Sequence, residues 1–183
     1  MIIISDNACT GTVVDLLGLD AINAWYRSAG LKQTVHRFGI PPRLPPDHPL
    51  DAVTTTTPAD TGRLLDLIRT GASEAAAAAR LGGTPKLCRL AIDILSWQTQ
   101  RARLPSRLPL GTRVAHKTGT GSRGYMDAGI IYRGEAPCFI LSCYTDRVPA
   151  ELPDGTPGFA AAAQLIGRLC RTSWDALAMG VPG

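Results

Sequence analysis

With 183 residues, 45% of them apolar, the chain is long enough for one domain with a real core. Its net charge of +4 comes from sixteen arginines and three lysines spread along the whole length. That scatter argues against a nucleic-acid partner, and no apolar run is long enough to span a bilayer. Five cysteines (Cys9, Cys88, Cys138, Cys143 and Cys170) form no Cys-x-x-Cys pair, so they read as small, mostly buried apolar residues, with no metal or other cofactor expected.

The opening Met1–Ile4 is apolar, too short for a signal peptide and without a basic residue ahead of it, and Ser5-Asp6-Asn7 follows at once. Val13, Val14, Leu16 and Leu17 predict a helix from Ala8 to Leu17, closed by Gly18. Asp20 is expected to cap a second helix carrying Ile22, Trp25 and Tyr26, which Gly30 stops. Residues 32–56 read as one long loop, because Pro41, Pro42, Pro45, Pro46 and Pro49 exclude helix and central strand. Structureless loops of that length tend to be functional or disordered.

Thr57-Pro58, a cap followed by a proline at the first helical position, opens a helix through Leu64, Leu65, Leu67 and Ile68 to Gly71. Ser73 is expected to start an alanine-rich helix ending at Gly82-Gly83. Thr84-Pro85 starts another, with Leu87, Leu90, Ala91, Ile94 and Leu95 on one face. Beyond Pro105 the apolar period shortens to that of strands, expected at 112–118, 125–133 and 138–145, with a hairpin turn over Gly134–Pro137. A terminal helix from Phe159 to Ala178 should turn Leu165, Ile166, Leu169 and Trp174 inward. A mostly helical part (1–110) followed by antiparallel strands and a covering helix (111–183) is an α+β arrangement.

The stretch Val114-Ala115-His116-Lys117-Thr118-Gly119-Thr120-Gly121 draws the chemistry together. Val114 and Ala115 favour a strand, and the two glycines keep its far end free of bulk, which suits an edge along which a substrate backbone can lie. Lys117 is one of three lysines, a point charge where the chain otherwise uses guanidinium. Taken alone, Lys-Thr-Gly is a surface turn and Ser-Asp-Asn a capping turn. His116 should face away from Lys117 and pack, because side chains alternate along a strand. His36 and His48 have no partner pattern, and Arg123 reads first as a solvated turn arginine and second as a carboxylate ligand.

Ser5-Asp6-Asn7 and Lys117-Thr118-Gly119 stand 112 positions apart, with a proline-rich loop and Thr56-Thr57-Pro58 between them. In that order, with Ala24-Trp25-Tyr26-Arg27 and Arg103-Leu104-Pro105, the chain resembles the class A β-lactamases and related penicillin-recognising serine hydrolases over nearly its full length. The resemblance implies a β-lactamase/transpeptidase-like fold and a β-lactam or peptidoglycan-like small-molecule substrate, opened through an acyl-enzyme. It implies Ser5 and Lys117 as the catalytic proton relay to the leaving nitrogen. Asn7, Thr118, Gly119 and Thr120 would bind substrate: Asn7 its side-chain amide, the threonines its carboxylate, and the strand its backbone.

Two departures qualify that expectation. None of the residues three positions before Lys32, Lys86 and Lys117 (Ala29, Gly83 and Val114) is a serine, so the family's Ser-x-x-Lys nucleophile does not occur in residues 1–183. The chain is therefore expected to be a carboxy-terminal piece of a longer hydrolase and inactive by itself. The proline-rich loop also has no glutamate between Lys32 and Pro58; the family's deacylating glutamate maps to Pro41 and its asparagine partner to Pro45, leaving Asp47 and Asp51 as the nearby carboxylates. A penicillin-binding or carboxylesterase relative with slow deacylation is one alternative, and a non-catalytic binding module is the other. Without its early strands, the sheet should expose Phe139, Ile140 and Leu141 on an open edge that invites self-association.

Overall fold

The computed structural model describes residues 1–40 and 42–178. Six helices and one sheet follow in chain order: α1 (Asn7–Leu17), α2 (Leu19–Ala29), α3 (Pro58–Gly71), α4 (Ala75–Arg80), α5 (Pro85–Ser96), β1 (Val114–Thr120), β2 (Tyr125–Arg133), β3 (Ala136–Tyr144) and α6 (Gly158–Ala178). The α+β architecture is the expected one.

The caps explain most of the boundaries. The Thr57 and Thr84 hydroxyls accept from the amides of Asp60 and Leu87 at the heads of α3 and α5, each with proline at the first helical position. Gly30 takes the left-handed conformation that ends α2. Two starts differ from expectation. Asp20 lies inside the first turn of α2 behind Gly18, where its charge faces the positive helix end without capping it. Ser73 lies in the preceding turn, and α4 begins only at Ala75.

The sheet is antiparallel in the order β1-β2-β3. β1 and β3 begin and end one or two residues away from the expected limits. Gly134-Glu135 alone forms the hairpin turn, because Ala136 and Pro137 already pair with Arg133 and Tyr132. The register slips between Ile131 and Tyr132, where the proline interrupts the ladder.

Apolar clusters cover both sheet faces. Leu65, Ile92 and Leu95 of α3 and α5 pack on Ala115, Ala128 and Ile130. Ile166 and Cys170 of α6, with Leu104, pack on Val114, Ile131 and Cys143. The buried stripe of α5 is Cys88, Ile92 and Leu95, so Leu87 and Leu90 are exposed against expectation. On α6 the buried side chains are Ala162, Ile166 and Cys170, with the glycines Gly158 and Gly167 also buried, Trp174 packed beside them, and Leu165 and Leu169 turned outward. In both helices the apolar band is wider than the side the neighbouring elements cover.

Candidate active site

Two chain segments, far apart in sequence, meet at Lys117. Its Nζ donates to Ser5 Oγ at 2.7 Å and to the Thr118 carbonyl at 2.5 Å. Burial lowers the Lys117 pKa from its ordinary value; Asp127 opposes that shift and the Arg103 charge adds to it. A hydroxyl against a half-buried ammonium of depressed basicity is an arrangement able to pass a proton.

Ser5 reaches this position through a strained local backbone. Its φ is 59°, in the left-handed region that a non-glycine residue rarely adopts. Immediately after it, Asp6 caps α1 by accepting from the Cys9 amide at 2.7 Å, and that bond lowers the Asp6 carboxyl pKa. The capping turn and the approach of Ser5 to Lys117 are thus one piece of structure. Asn7, the first residue of α1, is exposed beside it.

The segment after α5 fixes the height of Ser5 over the sheet. Gln98 Nε2 donates to the Ile2 carbonyl, the Thr99 amide to that of Ile3, and Gln100 Nε2 to that of Ile4. Gln100 also accepts from Thr118 Oγ1 at 2.9 Å, so one side chain spans the serine segment and β1. The run Gln98-Thr99-Gln100 carries no motif that would single it out in the sequence.

Along β1 the side chains divide between faces, as strand alternation requires. Lys117 faces the side of α3 and α5; His116, Thr118 and Thr120 face the other. Thr118 is buried on Gln100, whereas Thr120 is exposed and its Oγ1 accepts from Arg103 Nη2 at 2.6 Å. Arg103 Nη1 donates to the carbonyls of Gly119 and Met126, both at 2.6 Å, and its guanidinium lies 5.5 Å from the Tyr125 ring centroid. In the sequence Arg103 stands only as part of the landmark Arg103-Leu104-Pro105. Structurally it is the second cation at the end of β1.

His116 is fully buried, with Nδ1 2.9 Å from Asp127 Oδ1, in the packing position expected of it. Arg123 is neither a free turn residue nor open to a ligand: it pairs with Asp146 at 2.7 Å and donates to the His48 carbonyl. His36 Nδ1 lies 3.4 Å from the Tyr26 hydroxyl, and His48 Nδ1 lies 2.8 Å from the Pro49 carbonyl. Asp47 and Asp51 are exposed, and Pro41, to which the loop glutamate maps, lies outside the described residues. Among the described residues no cluster of three or more metal-ligating side chains occurs, and no helix is long and apolar enough to cross a membrane.

A separate apolar groove of about 430 Å³ lies between α1 and α2, lined by Met1, Val13, Leu17, Ile22 and Trp25 among others. Neither Ser5 nor Lys117 lines it.

The model of the "Beta-lactamase enzyme family" matches residues 1–177. A search of curated proteins by sequence finds no match. Among solved structures, PBP-A superposes with a TM-score of 0.75 at 24% identity, over 98% of this chain and 59% of its own. A β-lactamase from Sphaerobacter thermophilus gives 0.74 at 23%, over 98% and 60%. A variant of the last common ancestor of Gram-negative bacterial class A β-lactamases, bound to a nitrobenzotriazole transition-state analogue, gives 0.73 at 25%, over 97% and 62%. The chain thus spans about six-tenths of the length of these structures.

Proposed function

The chain belongs to the β-lactamase enzyme family, and on that premise we propose that residues 1–183 carry the proton-relay and anion-binding half of a serine acyl-transfer site acting on β-lactam amides. The observation that carries this reading is the 2.7 Å contact of Lys117 Nζ with Ser5 Oγ across 112 positions of sequence.

When a lactam carbonyl acylates a nucleophile, a new bond forms at the carbonyl carbon, the C–N bond breaks, and the departing nitrogen needs a proton. Ser5 Oγ–H supplies it and is reprotonated through Lys117, whose lowered pKa eases the transfer. Arg103 and Thr120 receive the substrate carboxylate at the end of β1, where the half-buried guanidinium meets the exposed threonine hydroxyl. β1 is an edge strand, free to pair with an extended substrate backbone beyond Gly119, and Asn7 stands exposed at the head of α1 to meet a side-chain amide. Thr118 contributes less directly, since its hydroxyl is committed to Gln100.

The acyl group itself requires a nucleophile, and residues 1–183 contain no Ser-x-x-Lys. The isolated chain therefore binds without turning over. A second reading, a penicillin-binding or esterase-type enzyme with slow deacylation, is favoured by the loop over residues 32–56, which has no glutamate to activate a hydrolytic water.

Incubating the 183-residue chain with labelled benzylpenicillin, and reading both mass and chemical shifts, tests the proposal. The expected result is reversible perturbation of Lys117, Thr120 and Arg103 with no gain of mass. Covalent labelling, above all at Ser5, would overturn it, as would the absence of any perturbation at these residues.

A further inference from the structure

Behind the end of β1 lies a buried polar network to which no role has yet been given. Asp127 of β2 is fully buried: His116 Nδ1 lies 2.9 Å from its Oδ1 and 3.1 Å from its Oδ2, and the Leu104 amide donates to Oδ2 at 3.0 Å. The His116 ring is held from that side alone, because its buried Nε2 has no partner among the described residues. Room for the ring comes from Gly129, directly opposite His116; a β-carbon there would lie 2.6 Å from His116 Cβ. The chain has thus given up a side chain on a central strand to seat a polar pair in its core.

The Leu104 amide is the link to the site. Leu104 follows Arg103, whose guanidinium bridges Gly119, Met126 and Thr120. Fixing the Leu104 amide fixes the root of the Arg103 side chain. α6 closes on the same turn from outside: a β-carbon at Gly167 would meet Ser106 Oγ at 2.2 Å and the Arg103 carbonyl at 3.2 Å. A long cation on a flexible stem is held at one spot only if its backbone is held first.

We propose that Asp127, oriented by His116, is a positioning residue that anchors the Arg103–Leu104 turn and thereby sets the anion subsite formed by Arg103 and Thr120. This rests on the carboxylate-binding reading above for its ligand, but not for its geometry. Asp127→Ala would remove both acceptor oxygens, leaving His116 Nδ1 and the Leu104 amide unpaired together.

The test uses the ¹⁵N-arginine-labelled 183-residue chain. One readout is restricted rotation of the Arg103 guanidinium, seen as separate Nη1 and Nη2 resonances; the other is affinity for benzylpenicilloate. The native chain should show separate resonances. Asp127→Ala, folded by near-ultraviolet circular dichroism, should merge them and weaken penicilloate binding about tenfold.

His116→Asn, which retains a donor near the Nδ1 position, should keep the resonances apart, whereas His116→Ala should not. That pair decides the matter if Asp127→Ala fails to fold. Merged resonances in the native chain, unchanged resonances in folded Asp127→Ala, or identical behaviour of the two His116 variants would overturn the proposal. If penicilloate binds neither native nor variant chains, the anion-binding reading fails while the guanidinium resonances still judge the anchor.

Discussion

At Lys117 the pH response has a definite sign. Burial depresses its pKa from the ordinary 10.5, more than Asp127 restores it. Between the depressed value and the ordinary one, the unfolded chain holds more protons than the folded chain, so folding stability rises with pH across that window. Below it both states are protonated and the full burial penalty applies. Urea unfolding at a series of pH values up to 10.5 should show this rise, and Lys117→Met should remove that part of the slope. A ¹³Cε titration of Lys117 with a midpoint at or above 10.5 would refute the assignment. The sequence made Lys117 and Ser5 legible because both stand in short motifs at a family spacing. Arg103, Gln100 and Asp127 were not legible as site residues, since one arginine among sixteen, a glutamine in a plain run and an aspartate in a strand acquire meaning only through what they touch.

At the scale of elements, β3 is the weak point: Phe139, Ile140 and Leu141 are half-buried against the two clusters, not exposed as expected, but its backbone edge is open. Its nine residues carry no charge, and among the described residues nothing pairs with its outer side. Natural edge strands are usually blunted by charge, bulges or cover. We expect the chain to self-associate through this edge, with sedimentation showing a concentration-dependent rise in mass that Cys138→Lys reduces. A concentration-independent monomer at 100 µM, an order-of-magnitude choice of about the range where open edges associate, would contradict it. Helices with a threonine cap and a first-position proline were placed correctly from sequence, because those signals are local. The inward faces of α5 and α6 were misplaced, because Leu87, Leu90, Leu165 and Leu169 extend an apolar band whose buried part is chosen by neighbours, not by periodicity.

For the whole molecule, the sheet is covered on both faces, yet much apolar surface stays open. Leu16 is 82% exposed, and Leu17, Phe159 and Leu165 are each half exposed or more, in addition to the groove between α1 and α2. Such exposure forfeits burial worth about 25 cal/mol per Å². The isolated chain should therefore be marginally stable, unfolding below about 45 °C, at or under the low end of the usual mesophile range. Cooperative unfolding of a monomer above about 50 °C would show that the two clusters suffice.

The left-handed backbone of Ser5 has a consequence for how the site is paired with its scaffold. At φ 59° the Cβ of Ser5 is a burden, and the proposed relay gives the reason for its hydroxyl. Glycine there would relieve the conformation, whereas alanine would retain it and remove only the oxygen. Ser5→Gly should thus be more stable than Ser5→Ala by about 1 kcal/mol, while both lose the Lys117 contact equally. Thermal melts of the two variants would show the gap. Equal melts would mean that the turn gives way instead. If the relay proposed for Ser5 holds, serine at this position is a trade of foldability for chemistry, legible in one torsion angle.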